Sequence, residues 1–174
     1  VRSLWDILVN QKPTHIAVAF DPRGGTFRHE QYPEYKANRD AQPEDISIAI
    51  PIIQEILEGF KIPVVIIPNY EADDVIGTLS KQAEAEGFDV FMVTPDKDYA
   101  QLVSDKIFMY KPSRMGNGIE VLGEKEVLAK WDIQRVDQVI DVLGLQGDSV
   151  DNIPGVPGIG PKTAVKLLKL YSDV

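Results

Sequence analysis

The sequence predicts an α/β fold built on a parallel sheet with helices on both faces, and three observations carry the prediction. Residues 15–20, 63–67 and 89–94 are apolar runs, the first read as a strand buried on both faces, the second as a buried strand and the third as a strand. Residues 46–60 and 71–86, between these runs, repeat their apolar positions at helical spacing. Each run then gives way to a loop carrying carboxylates, as expected where strand ends meet at a functional edge.

The elements follow in order. Leu4, Trp5, Ile7 and Leu8 recur at helical spacing and Lys12-Pro13 closes the segment, so the chain opens on an amphipathic helix. The first strand ends at Asp21. Residues 22–45 turn polar and irregular, with Arg23, Arg28, Lys36 and Arg39 interleaved with Phe27, Tyr32 and Tyr35, too long a stretch for an ordinary connection. Helix 46–60 follows, with Pro51 as a kink, then the second strand, then helix 71–86 closed by Gly87 as a left-handed cap. After the third strand come a short helix at 99–103 and another strand at 107–110. Arg114 to Gly118 reads as a turn, and helices at 124–131 and 136–145 follow it. Residues 152–163 pack three glycines and three prolines ahead of a final helix running to about Tyr171.

Composition narrows the chemistry. A chain of 174 residues, 44% hydrophobic, is long enough for a compact domain with a substantial core. The absence of cysteine removes disulfides, thiolate metal sites and thiol catalysis. No apolar stretch reaches the 18 residues of a membrane span and no secretory signal opens the chain, so a cytoplasmic location and no membrane partner are expected. The net charge of -9, from 27 acidic and 18 basic residues, argues naively against a polyanionic partner. That argument weakens if clustered carboxylates that bind cations hold much of the excess.

Eight acids form four clusters: Asp21; Glu71, Asp73 and Asp74; Asp96 and Asp98; Asp148 and Asp151. Glu71 and Asp74 are spaced to share a face in the first turn of a helix, as are Asp148 and Asp151. Helix capping explains Asp73, Asp74 or Asp96 taken singly. It does not explain three acids in one cluster, nor Asp98. Carboxylates brought to one rim repel each other unless cations hold them, and all-oxygen ligands suit magnesium, manganese or calcium. The chemistry expected of such a site is two-metal phosphodiester hydrolysis, with neither His15 nor His29 needed as a base.

Two segments suit nucleic acid. If residues 32–39 are helical, Lys36 and Arg39 share a face and grip a phosphodiester, with tyrosines placed for stacking on unpaired bases. Composition alone favours a solvated loop there, and the position directly after Asp21 shifts the balance. The stretch from Gly155 to Thr163 resembles a helix-hairpin-helix loop in which Gly158 and Gly160 allow a tight turn and Lys162 and Thr163 reach a backbone phosphate.

Together the ordered pieces Ala19-Phe20-Asp21, Tyr35-Lys36-Ala37-Asn38-Arg39, Tyr70-Glu71-Ala72-Asp73-Asp74, Asp96-Lys97-Asp98, Gly147-Asp148-Ser149-Val150-Asp151-Asn152 and the glycine hairpin resemble the 5′-nuclease (5′-3′ exonuclease) domain found in bacterial DNA polymerase I, of the flap endonuclease family. The resemblance spans nearly the whole chain. It implies a PIN-like sheet domain over 1–122, with an arch segment at 22–45, followed by a helical DNA-binding region over 123–174 with a helix-three-turn-helix motif. It implies that the eight acids hold two magnesium or manganese ions. Lys36 and Arg39 would act at the scissile phosphate, Arg28, Tyr35 and the hairpin would contact DNA, and the hairpin carbonyls would hold potassium. The implied substrates are 5′ flaps, nicked or branched duplex and RNA primers on DNA. Family members begin with a strand bearing a further metal-site aspartate, and this chain opens after it; a shortened chain, one ligand short and impaired in turnover, is therefore expected. A duplex-binding fragment without turnover and a PIN-type ribonuclease are the alternatives.

Overall fold

The computed structural model describes residues 2–112 and 118–172. Their contacts define two compact units, one of residues 1–31 and 39–75, the other of residues 32–38 and 76–174.

In the first unit, α1 (Arg2–Asp6) runs into one π-helical turn, Ile7–Gln11, which ends where Lys12 turns left-handed (φ 48°) and donates its N–H to the Ile7 carbonyl. Trp5 and Phe60 meet with ring centroids 6.3 Å apart. Strand β1 (Val18–Ala19) pairs in parallel with β2 (Val64–Val65), and Phe20 N–H extends the ladder to the Val65 carbonyl. These strands are shorter than expected and only half-buried, and Ile66 and Ile67 are exposed. An apolar run here does not mean burial on both sides. The irregular stretch is partly ordered: α2 (Phe27–Gln31) starts behind Thr26, whose N–H donates to His29 Nδ1. Helix α3 (Glu44–Gly59) holds Pro51 within it and buries Leu57.

Helix α4 (Ala72–Ala85) closes as expected, with Gly87 at φ +94° and the Phe88 N–H donating to the Ala83 carbonyl. In the second unit β3 (Val90–Val93) pairs in parallel with β4 (Ile107–Pro112), which pairs antiparallel with β5 (Ile119–Leu122). No strand was expected at β5. The turn read at Arg114 to Gly118 lies, up to Asn117, outside the described residues. The β3 face that carries Met92 lines the core, while Phe91 and Val93 are about half exposed, so β3 too is buried on one face.

The core sits in this second unit. Ile107 and Met109 of β4 are fully buried among Val127 of α5 (Glu124–Trp131), Val139 and Val142 of α6 (Gln138–Gln146) and Ala164 and Leu168 of α7 (Pro161–Tyr171). Each large aliphatic side chain buried this way contributes about 1.5–3 kcal/mol. Gln138 is buried but satisfied: its Oε1 accepts from the Gln134 and Arg135 N–H groups and its Nε2 donates to the Ser172 carbonyl.

Between α6 and α7 two short strands, β6 (Gly147–Asp148) and β7 (Ile153–Pro154), pair antiparallel and present residues 149–152 as a loop. Gly158 (φ +81°) then turns the chain, and Gly160, in extended conformation, leads into Pro161 at the first position of α7.

Candidate metal centre

Each carboxylate cluster does a local backbone job. Asp21 Oδ1 accepts the Ala72 N–H at 2.8 Å, the first turn of α4. Asp74 Oδ2 accepts the Glu71 N–H at 3.0 Å, the N-terminal cap that its spacing allows. Asp96 Oδ1 accepts the Asp98 N–H at 2.9 Å and caps the 3₁₀ turn Lys97–Leu102, the short helix expected at 99–103. Asp148 Oδ1 accepts from the Val150 and Asp151 N–H groups at 2.8 and 3.4 Å, folding the 149–152 loop back on itself. The capping roles of Asp74 and Asp96 are therefore real, and they use only part of each carboxylate.

What remains is negative charge held by basic side chains. In the first unit Arg28 makes a bidentate pair with Asp74, both bonds 2.7 Å, and lies 3.7 Å from the buried Glu71. Asp73, next in line, is exposed. In the second unit Lys97 lies 3.3 Å from Asp148 and 3.9 Å from Asp98. Lys36 Nζ lies 4.0 Å from Asp151 and 4.8 Å from the centre of the Tyr35 ring. In the first two arrangements one cation spans two carboxylates. Sequence reasoning passed over Lys97, although its place between Asp96 and Asp98 was visible.

Asp98 is the least well compensated of these groups, with Lys97 3.9 Å from its Oδ1, beyond hydrogen-bond distance. Its Oδ1 is buried and has no hydrogen-bond partner among the described residues. Burial first, and then Asp96 with smaller contributions from Asp148 and Asp151, push its carboxyl up to about 6 against the opposing pull of Lys97. Asp148 lies on the other side of its usual value: burial works against ionisation, but the Val150 N–H and Lys97 outweigh it and hold the pKa down.

The residues fit a hard cation in kind. The donors are all carboxylate oxygen, and a buried oxygen without a partner stands among three further acids that repel it. They are not drawn together on one point: among the described residues no three or more His, Asp or Glu side chains are placed to hold a metal ion.

The expected phosphate grip takes a different form. Residues 33–38 are turns, and Lys36 has φ +57°, a left-handed backbone that excludes the helical alternative over 32–39 and leaves the loop that composition favours. Without that helix Lys36 and Arg39 have no helical face to share. Tyr35 is 6% exposed and its hydroxyl donates to Asp151 Oδ2 at 3.2 Å, so its ring is not presented for stacking. Arg28, expected at DNA, is committed to Asp74, and His29 Nδ1 serves as the acceptor at the start of α2. In the hairpin Lys162 and Thr163 are exposed at the start of α7, while Ile159 packs against the core.

A family model for the 5′-3′ exonuclease N-terminal resolvase-like domain matches residues 1–132, and one for the 5′-3′ exonuclease C-terminal SAM fold matches residues 134–174. The chain belongs to the 5′-3′ exonuclease family. Among relatives of this exonuclease chain, DNA polymerase I of Bacillus caldotenax is 44% identical over 97% of the chain and 19% of its own length. The 5′-3′ exonuclease of Aquifex aeolicus is 38% identical over the full chain and 58% of its own length. The chain thus spans under a fifth of the polymerase and just over half of the Aquifex aeolicus exonuclease. Among solved structures, the T5 D15 protein co-crystallised with metal ions superposes with a TM-score of 0.81 at 23% identity, over 99% of this chain and 67% of that one. The catalytic core of Rad2 in complex with DNA substrate gives 0.63 at 23% identity, over 99% and 52%. These likenesses establish the exonuclease fold, a parallel sheet with helices followed by the small helical domain.

Proposed function

We propose that this exonuclease-family chain supplies divalent-metal-dependent hydrolysis of DNA phosphodiesters at 5′ flaps and RNA primers. The observation that carries the reading is the buried Asp98 Oδ1, without a hydrogen-bond partner among the described residues and crowded by Asp96, Asp148 and Asp151 with Lys97 as a partial counter-charge, an arrangement that favours a cation. In this reading Asp21, Glu71, Asp73, Asp74, Asp96, Asp98, Asp148 and Asp151 are the ligands of magnesium or manganese, Arg28 and Lys97 neutralising part of that charge in the metal-free protein. Two such ions, when bound, activate water and stabilise the leaving oxygen in an in-line displacement. Lys36, partly buried over the Tyr35 ring, and Arg39 supply positive charge to the phosphate. The hairpin of residues 155–163 holds duplex backbone through its outward amides, Lys162 and Thr163, and its carbonyls are the potassium site. That a T5 5′-exonuclease of this fold binds divalent zinc, and that a T5 flap endonuclease of this fold was crystallised with DNA and metal ions, supports the reading.

A second reading, a duplex-binding fragment without turnover, draws on the absence among the described residues of three carboxylates placed to hold one ion. Incubation with a labelled 5′-flap duplex and manganese separates the two. Release of the flap with a 5′-phosphate on the remaining duplex is the expected result. Binding without cleavage supports the second reading, and equal cleavage of unstructured RNA would replace both with a ribonuclease.

A further inference from the structure

Residues 34–38 and 149–152 are far apart in sequence but are tied in the second unit by a dense set of polar links. The Asn38 side chain donates to the Ser149 carbonyl at 2.7 Å, and in the opposite direction the Asn152 side chain donates to the Glu34 carbonyl at 2.7 Å. Between them Lys36 N–H donates to the Asp151 carbonyl at 2.9 Å, and the Tyr35 hydroxyl donates to the Asp151 carboxylate. Lys36 and Asn152 both hold left-handed backbone, φ +57° each, so neither segment takes this shape by default. One segment carries Lys36 for phosphate, and the other carries Asp151 and directly follows Asp148, both for metal.

We propose that Asn38 and Asn152 are reciprocal positioning residues that lock the phosphate-gripping segment to the metal-binding loop, so that metal and DNA bind cooperatively. The proposal rests on the metal and DNA roles given above. Short turns tied by side-chain amides to a neighbour's carbonyls are ordered only together. A metal ion that fixes residues 148–151 therefore prepays the ordering of residues 34–38, and DNA held by Lys36 returns the same benefit to the metal. Linkage requires the two effects to be equal in size. Neither asparagine needs to touch metal or substrate for this.

The test measures manganese affinity by calorimetry, with and without a 5′-flap duplex carrying phosphorothioates at the scissile linkages to slow hydrolysis. In the unaltered chain DNA tightens manganese binding roughly 10-fold, within the usual range for coupled sites. Asn38→Ala removes one amide at an exposed position. Asn152→Gly removes the other while keeping the left-handed backbone free of strain. Each variant keeps the manganese affinity of the DNA-free protein and loses most of the enhancement, and the melting temperature without metal confirms that it is folded. A merely structural pair would lower stability while leaving the enhancement intact, and that outcome overturns the proposal. Manganese and DNA binding to the unaltered chain without coupling overturns it as well but spares the functional reading. No manganese binding in the unaltered chain overturns both.

Discussion

Asp98→Asn and Asp148→Asn should each lower cleavage of a 5′-flap duplex by at least about 100-fold, the upper end of what losing a mere supporting partner of a metal ligand costs. DNA affinity should hold or improve slightly. Removing a ligand charge weakens metal occupancy, and it also reduces repulsion between the acidic cluster and the phosphate. Weakened binding with unchanged turnover would contradict the assignment. Asp98 adds a signature in stability that needs no metal. Its carboxyl, at 3.8 in the unfolded chain, is held at about 6 in the fold. Between those values the folded state binds more protons than the unfolded one, so the contribution of Asp98 to stability is largest at low pH and is lost as pH rises towards 6. Asn carries no charge at any pH and loses nothing. Metal-free Asp98→Asn should therefore melt above the unaltered protein at pH 7, with the gap closing towards pH 4. A gap constant with pH would mean that charge is not its cause.

The largest stability effect is expected at Gly147. A Cβ there would stand 2.3 Å from the Gly155 nitrogen and 2.5 Å from the Ile153 carbonyl oxygen, both backbone atoms that cannot swing away, and φ is +73°. Gly155 is equally closed, its Cβ falling 2.3 Å from the Gln146 carbonyl carbon. Gly147→Ala, which combines overpacking with backbone strain, should cost about 3 kcal/mol or more, and Gly155→Ala, through overpacking alone, about 1–3 kcal/mol or more. Gly144→Ala, in α6 with open space around it, provides the control and should be neutral or slightly stabilising. Urea unfolding of the three variants measures this. Equal midpoints would mean that the paired strands β6 and β7 do not approach as described. Because Asp148 follows Gly147 directly, the same change should displace the loop that holds Asp148 and Asp151.

How much of this was legible in the sequence follows from the range of the forces involved. Helices α3 to α7 stood near their expected positions because periodicity, the Gly87 cap and Pro161 act over a few residues. The strands were legible as apolar runs, but their burial was not: one-sided exposure of Phe91 and Val93 depends on what covers the sheet, which no local pattern states. Strand β5 was hidden because its four residues are placed by antiparallel pairing with β4, which local spacing does not specify. At the site, the residue types and their grouping along the chain were readable. Their partners were not: Arg28 meets Asp74 across 46 residues, and Asn152 meets Glu34 across 118. Between the loop and the helix left open over residues 32–39, the structure has turns, and the Lys36 N–H is tied to the Asp151 carbonyl, a contact no spacing rule contains.

The central claim, that these carboxylates form a site for divalent metal, is tested most directly by the melting temperature of the metal-free chain before and after addition of millimolar magnesium or manganese. An ion that binds only the folded cluster must raise it, and the rise should be several degrees for the unaltered protein and much smaller for Asp98→Asn or Asp148→Asn. No shift with either metal would contradict the account, since carboxylates that repel each other in the fold and gain nothing from a cation do not form a metal centre.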